Sequence, residues 1–219
     1  PISDDDGAEA KMSNEGKPEP VQQRALQTRE ALLQGAARVF TRRSYPEARL
    51  KDIAHEAGTS EGSLHFHFGN KRDVAEAVLR AQQDRMNAVL VDVVERADDG
   101  LTKLLALIDG LAELISSDIV TQAGIKLSTQ VAQDLPRDTR DPYFEWIGIA
   151  KSLIADGVDE GSIEIAVEVE LVAEYSNVLF LGAQVLSDFE DAWSSLPRRV
   201  KALETFIVGA LAPSRAEDR

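Results

Sequence analysis

The chain lacks cysteine altogether. That excludes disulfide bridges and thiolate metal sites and suits a reducing cytoplasm. No uninterrupted apolar run approaches the ~18 residues that cross a bilayer, so no membrane partner is expected. A basic-then-apolar leader is missing too, which leaves no pointer to export. Gly58, Gly62 and Gly69 make neither GxGxxG nor a P-loop, and no predicted strand precedes them. GxSxG, a cysteine nucleophile and an evident Ser–His–Asp set are missing as well, so no catalytic residue and no enzyme is expected. Histidine is scarce, with three in the chain. His65 and His67 stand two residues apart, which on a helix points them roughly 200° apart and prevents a shared ion. Neither a metal nor another cofactor is expected.

Acid dominates what is there: 38 Asp and Glu against 24 Lys and Arg, net −14. The distribution is uneven. Residues 1–20 hold two basic and six acidic residues, and residues 73–219 hold thirteen and twenty-seven. Residues 21–72 reverse the balance, with nine basic and five acidic residues. A basic module on an acidic body is the asymmetry expected when one end meets phosphate.

The apolar spacing is helical nearly throughout, which predicts an all-α fold of about nine helices. The acidic, proline-bearing stretch 1–20 has little to bury and reads as a disordered tail. Leu26, Leu33, Ala37 and Phe40 share one face of a first helix. A short second helix carries Leu50, Ile53 and Ala54 and ends at Gly58, a left-handed cap. Ser60 caps a third, and Asn70 with Asp73 forms a capping box for a long fourth along Val74, Val78, Ala81, Ala88 and Val93 to about Arg96. ADDG (97–100) is a turn. An amphipathic helix over 101–115 follows, then one over 119–131, then a polar loop (133–142). Pro142 opens the next helix, ending near Gly157. SIEIAVEVEL (162–171) alternates like a strand but has no partner strand, so it reads as a loop running into a helix from about Val167 to 187. The last helix spans about 196–211, and APSRAEDR (212–219) frays.

Two short helices joined by a glycine turn within residues 21–70 have the geometry of a helix-turn-helix, whose second helix enters the major groove. The residues that build it are Thr28, Arg29, Ala36, Ala37 and Phe40, then LKDIAHEAG (50–58) and SEGSLHFHFGNK (60–71). This run, across residues 22–80, resembles the tetracycline-repressor (TetR) family of bacterial regulators. Within that family VTQAGIKLS (120–128), YFEW (143–146), LFLGAQVLSD (179–188) and PRRV (197–200) are similar to the γ-butyrolactone receptor branch.

The resemblance implies a helix-turn-helix DNA-binding domain over 21–70, a ligand-binding and dimerisation domain over 71–212, and a homodimer. It carries operator contacts onto Thr28, Lys51, Gly62, Ser63, His65, His67 and Lys71. Three positions depart from the pattern. His65 replaces a usual tyrosine, Arg49 a usual capping Thr or Ser, and Glu61 the lysine usual among butyrolactone receptors. Arg49 still suits phosphate. Glu61 repels phosphate but can accept from a cytosine N4. For the effector, the resemblance implies Gln82 on the fourth helix, Trp146 after the proline-containing loop, and Phe180 on the penultimate helix.

The expected function is a repressor that leaves a palindromic double-stranded operator when a small apolar, butyrolactone-like molecule binds. A drug or multidrug sensor of the same family, and a dimeric helical binder that no longer binds DNA, stay open as alternatives. A lactone hydrolase is the enzymatic rival, without a nucleophile set to support it.

Overall fold

A computed structural model describes residues 21–96, 98–131, 142–166 and 168–211. The expected tail, Ala97 of the ADDG turn, the loop up to residue 141, Val167 and the frayed end lie outside the described residues. Among these there are nine helices and no strand: α1 (Val21–Arg42), α2 (Leu50–Glu56), α3 (Glu61–His67), α4 (Lys71–Val94), α5 (Gly100–Ser117), α6 (Ile119–Val131), α7 (Pro142–Glu160), α8 (Val169–Asp191) and α9 (Leu196–Leu211).

Local chemistry sets the boundaries. Gly58 takes φ +65°, the left-handed conformation that glycine adopts without a Cβ penalty. Thr59 N–H then reaches back to the Ala54 carbonyl, closing α2. Ser60 Oγ accepts from Ser63 N–H at 3.1 Å and starts α3. Asn70 and Asp73 bond reciprocally, the capping box read from the sequence. Asp99 accepts from Thr102 N–H at 2.8 Å and starts α5. The alternating stretch after Ser162 is no strand. Ile163 is buried and Glu164 N–H donates to the Leu211 carbonyl at 2.8 Å, so the loop is held by the end of α9.

The head (α1–α3) does not close on itself. Leu32, Phe40, Ile53 and Leu64 pack with Val74 and Val78 of α4 and with Val120, Ala123 and Leu127 of α6 in one core. The division expected at residue 70 is a turn in the chain, not a break in the packing. A second core joins α4, α5, α7, α8 and the C-terminal half of α9, and a third joins α5, α8, the start of α9 and Trp193. Ala192 and Trp193 both have positive φ, and the buried Trp193 ring anchors the sharp α8–α9 turn.

Several sequence expectations need correction. Leu26 is 63% exposed, because α1 begins before the core does. Ala88 is exposed, and Met86 takes the inner position on α4. Helix α7 runs past Gly157 to Glu160, and α8 continues to Asp191. Among the described helices, α8 has the length and apolar composition of a membrane span. Its polar Ser176, Asn177 and Gln184 nevertheless turn inward toward the body.

Candidate nucleic-acid interface and internal cavity

On α3, Leu64 points into the head core, which turns Glu61, Gly62, His65 and Phe66 outward on the opposite face. Glu61 makes no hydrogen bond among the described residues; the cap belongs to Ser60. A Cβ added at Gly62 would meet nothing closer than Ser60 Oγ at 3.8 Å. The fold therefore does not require glycine there, although glycine inside a helix costs roughly 0.5–1 kcal/mol. His65 Nδ1 lies 3.3 Å from the Gly69 carbonyl and steadies the end of α3. His67 is half-buried with its ring edge-on to Phe66, 5.3 Å between centroids. The two histidines leave the helix in different directions.

Phe66 is the residue the sequence reading missed. It is 83% exposed and stands beside His65 on the outer face of α3. The sign of it was there: an aromatic two residues past the core-facing Leu64, on the polar side of a helix.

The cations around this face divide into two groups. Arg38 and Arg42 both pair with Glu56, and Arg43 pairs with Asp52 at 2.7 Å. These pairs bind α2 onto α1. Lys71 is also occupied. Its ammonium donates to the carbonyls of Tyr45, Pro46 and Ala48 at 2.8–3.1 Å and lies over the Tyr45 ring. All three donors thus fasten the α1–α2 loop to the start of α4. Arg49 and Lys51 are exposed and have no ion pair among the described residues. Arg49 occupies the N-cap of α2 with no side-chain cap bond, as its departure from Thr or Ser implies. Thr28 Oγ donates to the Arg24 carbonyl at 2.9 Å within its own helix.

A cavity of about 220 Å³ opens between α4, α5, α6, α7 and α8. Its wall is mostly apolar, with Leu107, Met86, Trp146 and Phe180 prominent. The three residues carried over for an effector, Gln82, Trp146 and Phe180, all meet here. Gln82 Nε donates to Met86 Sδ at 3.0 Å, a weak acceptor. Arg80 is the one charged residue among those described in the wall, and it is exposed. Gln184 of α8 also lines the cavity, a residue that sequence reasoning did not select.

Two links run from the cavity to the head. Helix α4 begins at the capping box beside α3 and carries Gln82 about three turns on. Helix α6 lines the cavity with Ile125 and Ser128, and its Gln130 Oε1 accepts from Tyr45 N–H at 2.7 Å. At the α5–α6 junction Asp118 receives Arg85 of α4 at 2.5 and 2.6 Å, and the same guanidinium reaches Glu30 of α1 at 3.2 Å. Burial works to raise the Asp118 pKa. Hydrogen bonds from Thr121 and Arg85 outweigh it and hold the carboxyl below the usual range.

Comparison with known proteins agrees with this layout. A family model described as bacterial regulatory proteins, tetR family, matches residues 32–78. A tetracyclin repressor-like C-terminal domain model matches residues 99–213. The A-factor receptor protein of Streptomyces griseus is 26% identical over 195 residues. That match spans 87% of this chain and 66% of the receptor's own length. CprB of Streptomyces coelicolor, solved in complex with its biological operator sequence, is 31% identical with a TM-score of 0.75, covering 88% of this chain and 92% of CprB. A γ-butyrolactone receptor (ArpA-like) is 30% identical with a TM-score of 0.75, covering 87% and 91%.

Proposed function

Because this chain belongs to the TetR family of bacterial regulatory proteins, we propose that it is a transcriptional repressor controlled by a small apolar effector and not an enzyme. The observation that carries the reading is the double use of α4. One end opens beside the outward face of α3, and its middle lines an apolar cavity. A molecule in that cavity that prefers one tilt of α4 shifts the head. Operator affinity then falls by the difference in effector affinity between the two states.

On the DNA side, α3 enters the major groove with Glu61, Gly62, His65 and Phe66 foremost. Glu61 accepts from a cytosine N4, and Phe66 offers apolar surface to a thymine methyl. Gly62 lets the backbone approach closely, Ser63 and His67 border the groove, and Arg49 and Lys51 meet phosphate. Similarity to CprB, solved with its operator, supports this side. Two copies place two α3 helices about 34 Å apart on a palindrome.

The second copy docks on α8 and α9. Leu171, Tyr175, Val178, Val185 and Phe189 are exposed, and with Gly182 they recur in steps of four and three residues. That is the seam spacing of paired helices. Phe206 of α9 extends the strip. Ser176 and Ala183 of the same helix turn inward to the cavity and the core, while Gly182 stays exposed along the strip.

The cavity wall favours a butyrolactone-type effector over a cationic drug, since no acidic residue is found among its described lining. The A-factor receptor and the ArpA-like receptor support the same choice. The test is a mobility-shift titration at low salt with DNA from upstream of the protein's own gene. Specific binding that weakens steeply with salt and is released by a γ-butyrolactone is expected. Binding without sequence preference, or binding no bound ligand alters, would reject the repressor.

A further inference from the structure

Ala192 and Trp193, in the turn between α8 and α9, stand in the left-handed region with φ of 53° and 68°. A Cβ makes that conformation costly, and here two such residues follow one another. The Trp193 indole is buried, yet its Nε1 has no hydrogen-bond partner among the described residues. The buried Oγ of Ser187, one turn back on α8, has none either. A buried donor without an acceptor is unfavourable as well. The turn is therefore strained, and no hydrogen bond among the described residues fixes the edge of its indole.

The face of the indole is held from another helix. Lys126 of α6 places its ammonium 5.2 Å from the centre of the Trp193 ring. The same ammonium pairs with Asp188 in the last turn of α8 at 3.3 Å and donates to the Thr41 carbonyl in the last turn of α1 at 3.4 Å. A cation is favourable at the C-terminal end of a helix, where carbonyls lack intrahelical partners. Lys126 serves two such ends at once. Other ties at the turn stay local: Ser195 bonds to Asp191, and Arg199 bonds to Ser195 and Glu190. Lys126, by contrast, reaches the head. Thr41, Lys126, Asp188 and Trp193 all lie outside the described lining of the cavity, so this tie is separate from the α4 route.

We infer that Lys126 is a positioning residue for the DNA-reading head: its ammonium sets the angle of α1 against the strained α8–α9 turn. The inference rests on the repressor reading. It adds a direct link between the helices that carry the exposed seam and the head that carries α3. The strained turn is the element that yields. When operator DNA fixes the separation of two heads, α1 draws on the shared ammonium, and the contact with the Trp193 ring changes. The angle the operator selects is favoured by the difference that the Lys126 contacts make between the two arrangements.

The experiment uses the full chain labelled with 5-fluorotryptophan. Its two tryptophans give two fluorine resonances, assigned with Trp146→Phe. The probe is duplex DNA from upstream of the protein's own gene. Wild type should bind it and shift the Trp193 resonance at saturation. Lys126→Met keeps the stem and removes the charge. It should keep the wild-type mass in light scattering and melt within about two degrees of wild type, because a partly exposed ion pair stabilises little. It should bind the DNA about five- to ten-fold more weakly. Its Trp193 resonance should no longer respond when the DNA is bound. Lys126→Arg should restore affinity and response, since a guanidinium also pairs with carboxylate and stacks on indole. Lys126→Gln serves should the methionine variant not fold. A Lys126 that is merely structural would lower the melting temperature and leave the bound-state shift intact, which would overturn the proposal. A wild-type Trp193 resonance unmoved by bound DNA would overturn it too, with the repressor reading left standing. A wild type that binds no such DNA would overturn both.

Discussion

Lys51 and Lys71 carry the same charge on the same helical head, but their surroundings give them different work. Lys71 spends its donors on three carbonyls, whereas Lys51 points into solvent without an ion pair among the described residues. Lys51→Gln is expected to leave the melting temperature within a degree or two while lowering the slope of log K against log salt by about one. Lys71→Gln should do the reverse, removing about 1–3 kcal/mol of stability with the salt slope kept. Thermal melts paired with salt-dependent operator titrations distinguish them, and a reduced slope in the Lys71 variant would restore it as a phosphate contact. The sequence could place both lysines at helix starts. It could not tell them apart, because the carbonyls that capture Lys71 lie 23 to 26 residues away. Phe66 was overlooked for a different reason: an aromatic in a helix is ordinarily core, and the inward direction of Leu64, legible in the sequence, is what turns it outward.

Among the elements, α6 does more than its sequence announces. Periodicity gave its limits, Ile119 to Val131, but not its neighbours. It contributes Val120, Ala123 and Leu127 to the head core, backs Gln82 with Gly124, and shares with α5 the Asp118 junction that grips α4. Lys126 adds an ion pair to Asp188 of α8 at 3.3 Å. In the proposed mechanism, motion of the cavity wall would reach the head through α6 as well as α4. Asp118 gives this arrangement a pH signature. Its folded pKa is depressed, so the stability it supplies is present above the ordinary carboxylate value near 4. That contribution fades as pH falls through the lower, folded value. Asp118→Asn should cost about 2 kcal/mol at neutral pH, from the lost charge-assisted bonds to Arg85 and Thr121. The gap from wild type should narrow as melts are taken toward pH 3. A gap constant from neutral to acid pH would show that the carboxylate's charge contributes nothing there.

For the whole molecule, the exposed apolar strip of α8 and α9 is the feature a monomer explains least. Phe189 is 86% exposed and Tyr175 60%, on the same face of one helix. Such a strip is covered in solution or it aggregates. Light scattering should give twice the chain mass for wild type and a single chain mass for Tyr175→Asp with Phe189→Asp, which should also lose most of its operator affinity. A wild-type monomer would leave the seam without an occupant. The charge division fits the same assembly. The basic stretch lies in the head, while the acidic residues concentrate in the body, away from α3 and averse to phosphate.

The amino-acid order by itself determined the helices and their caps. Those follow from neighbours within four residues: Gly58, Ser60, and the Asn70–Asp73 pair. It also determined the head motif and the three residues that meet in the cavity, through spacing and resemblance. Tertiary packing decided which polar groups were already satisfied. Lys71 lost its freedom to distant carbonyls, Gln184 was drawn to the cavity wall, and Ser176 and Ala183 turned toward the interior. Hydrogen-bond satisfaction depends on atoms far apart in the chain, and no local pattern records it.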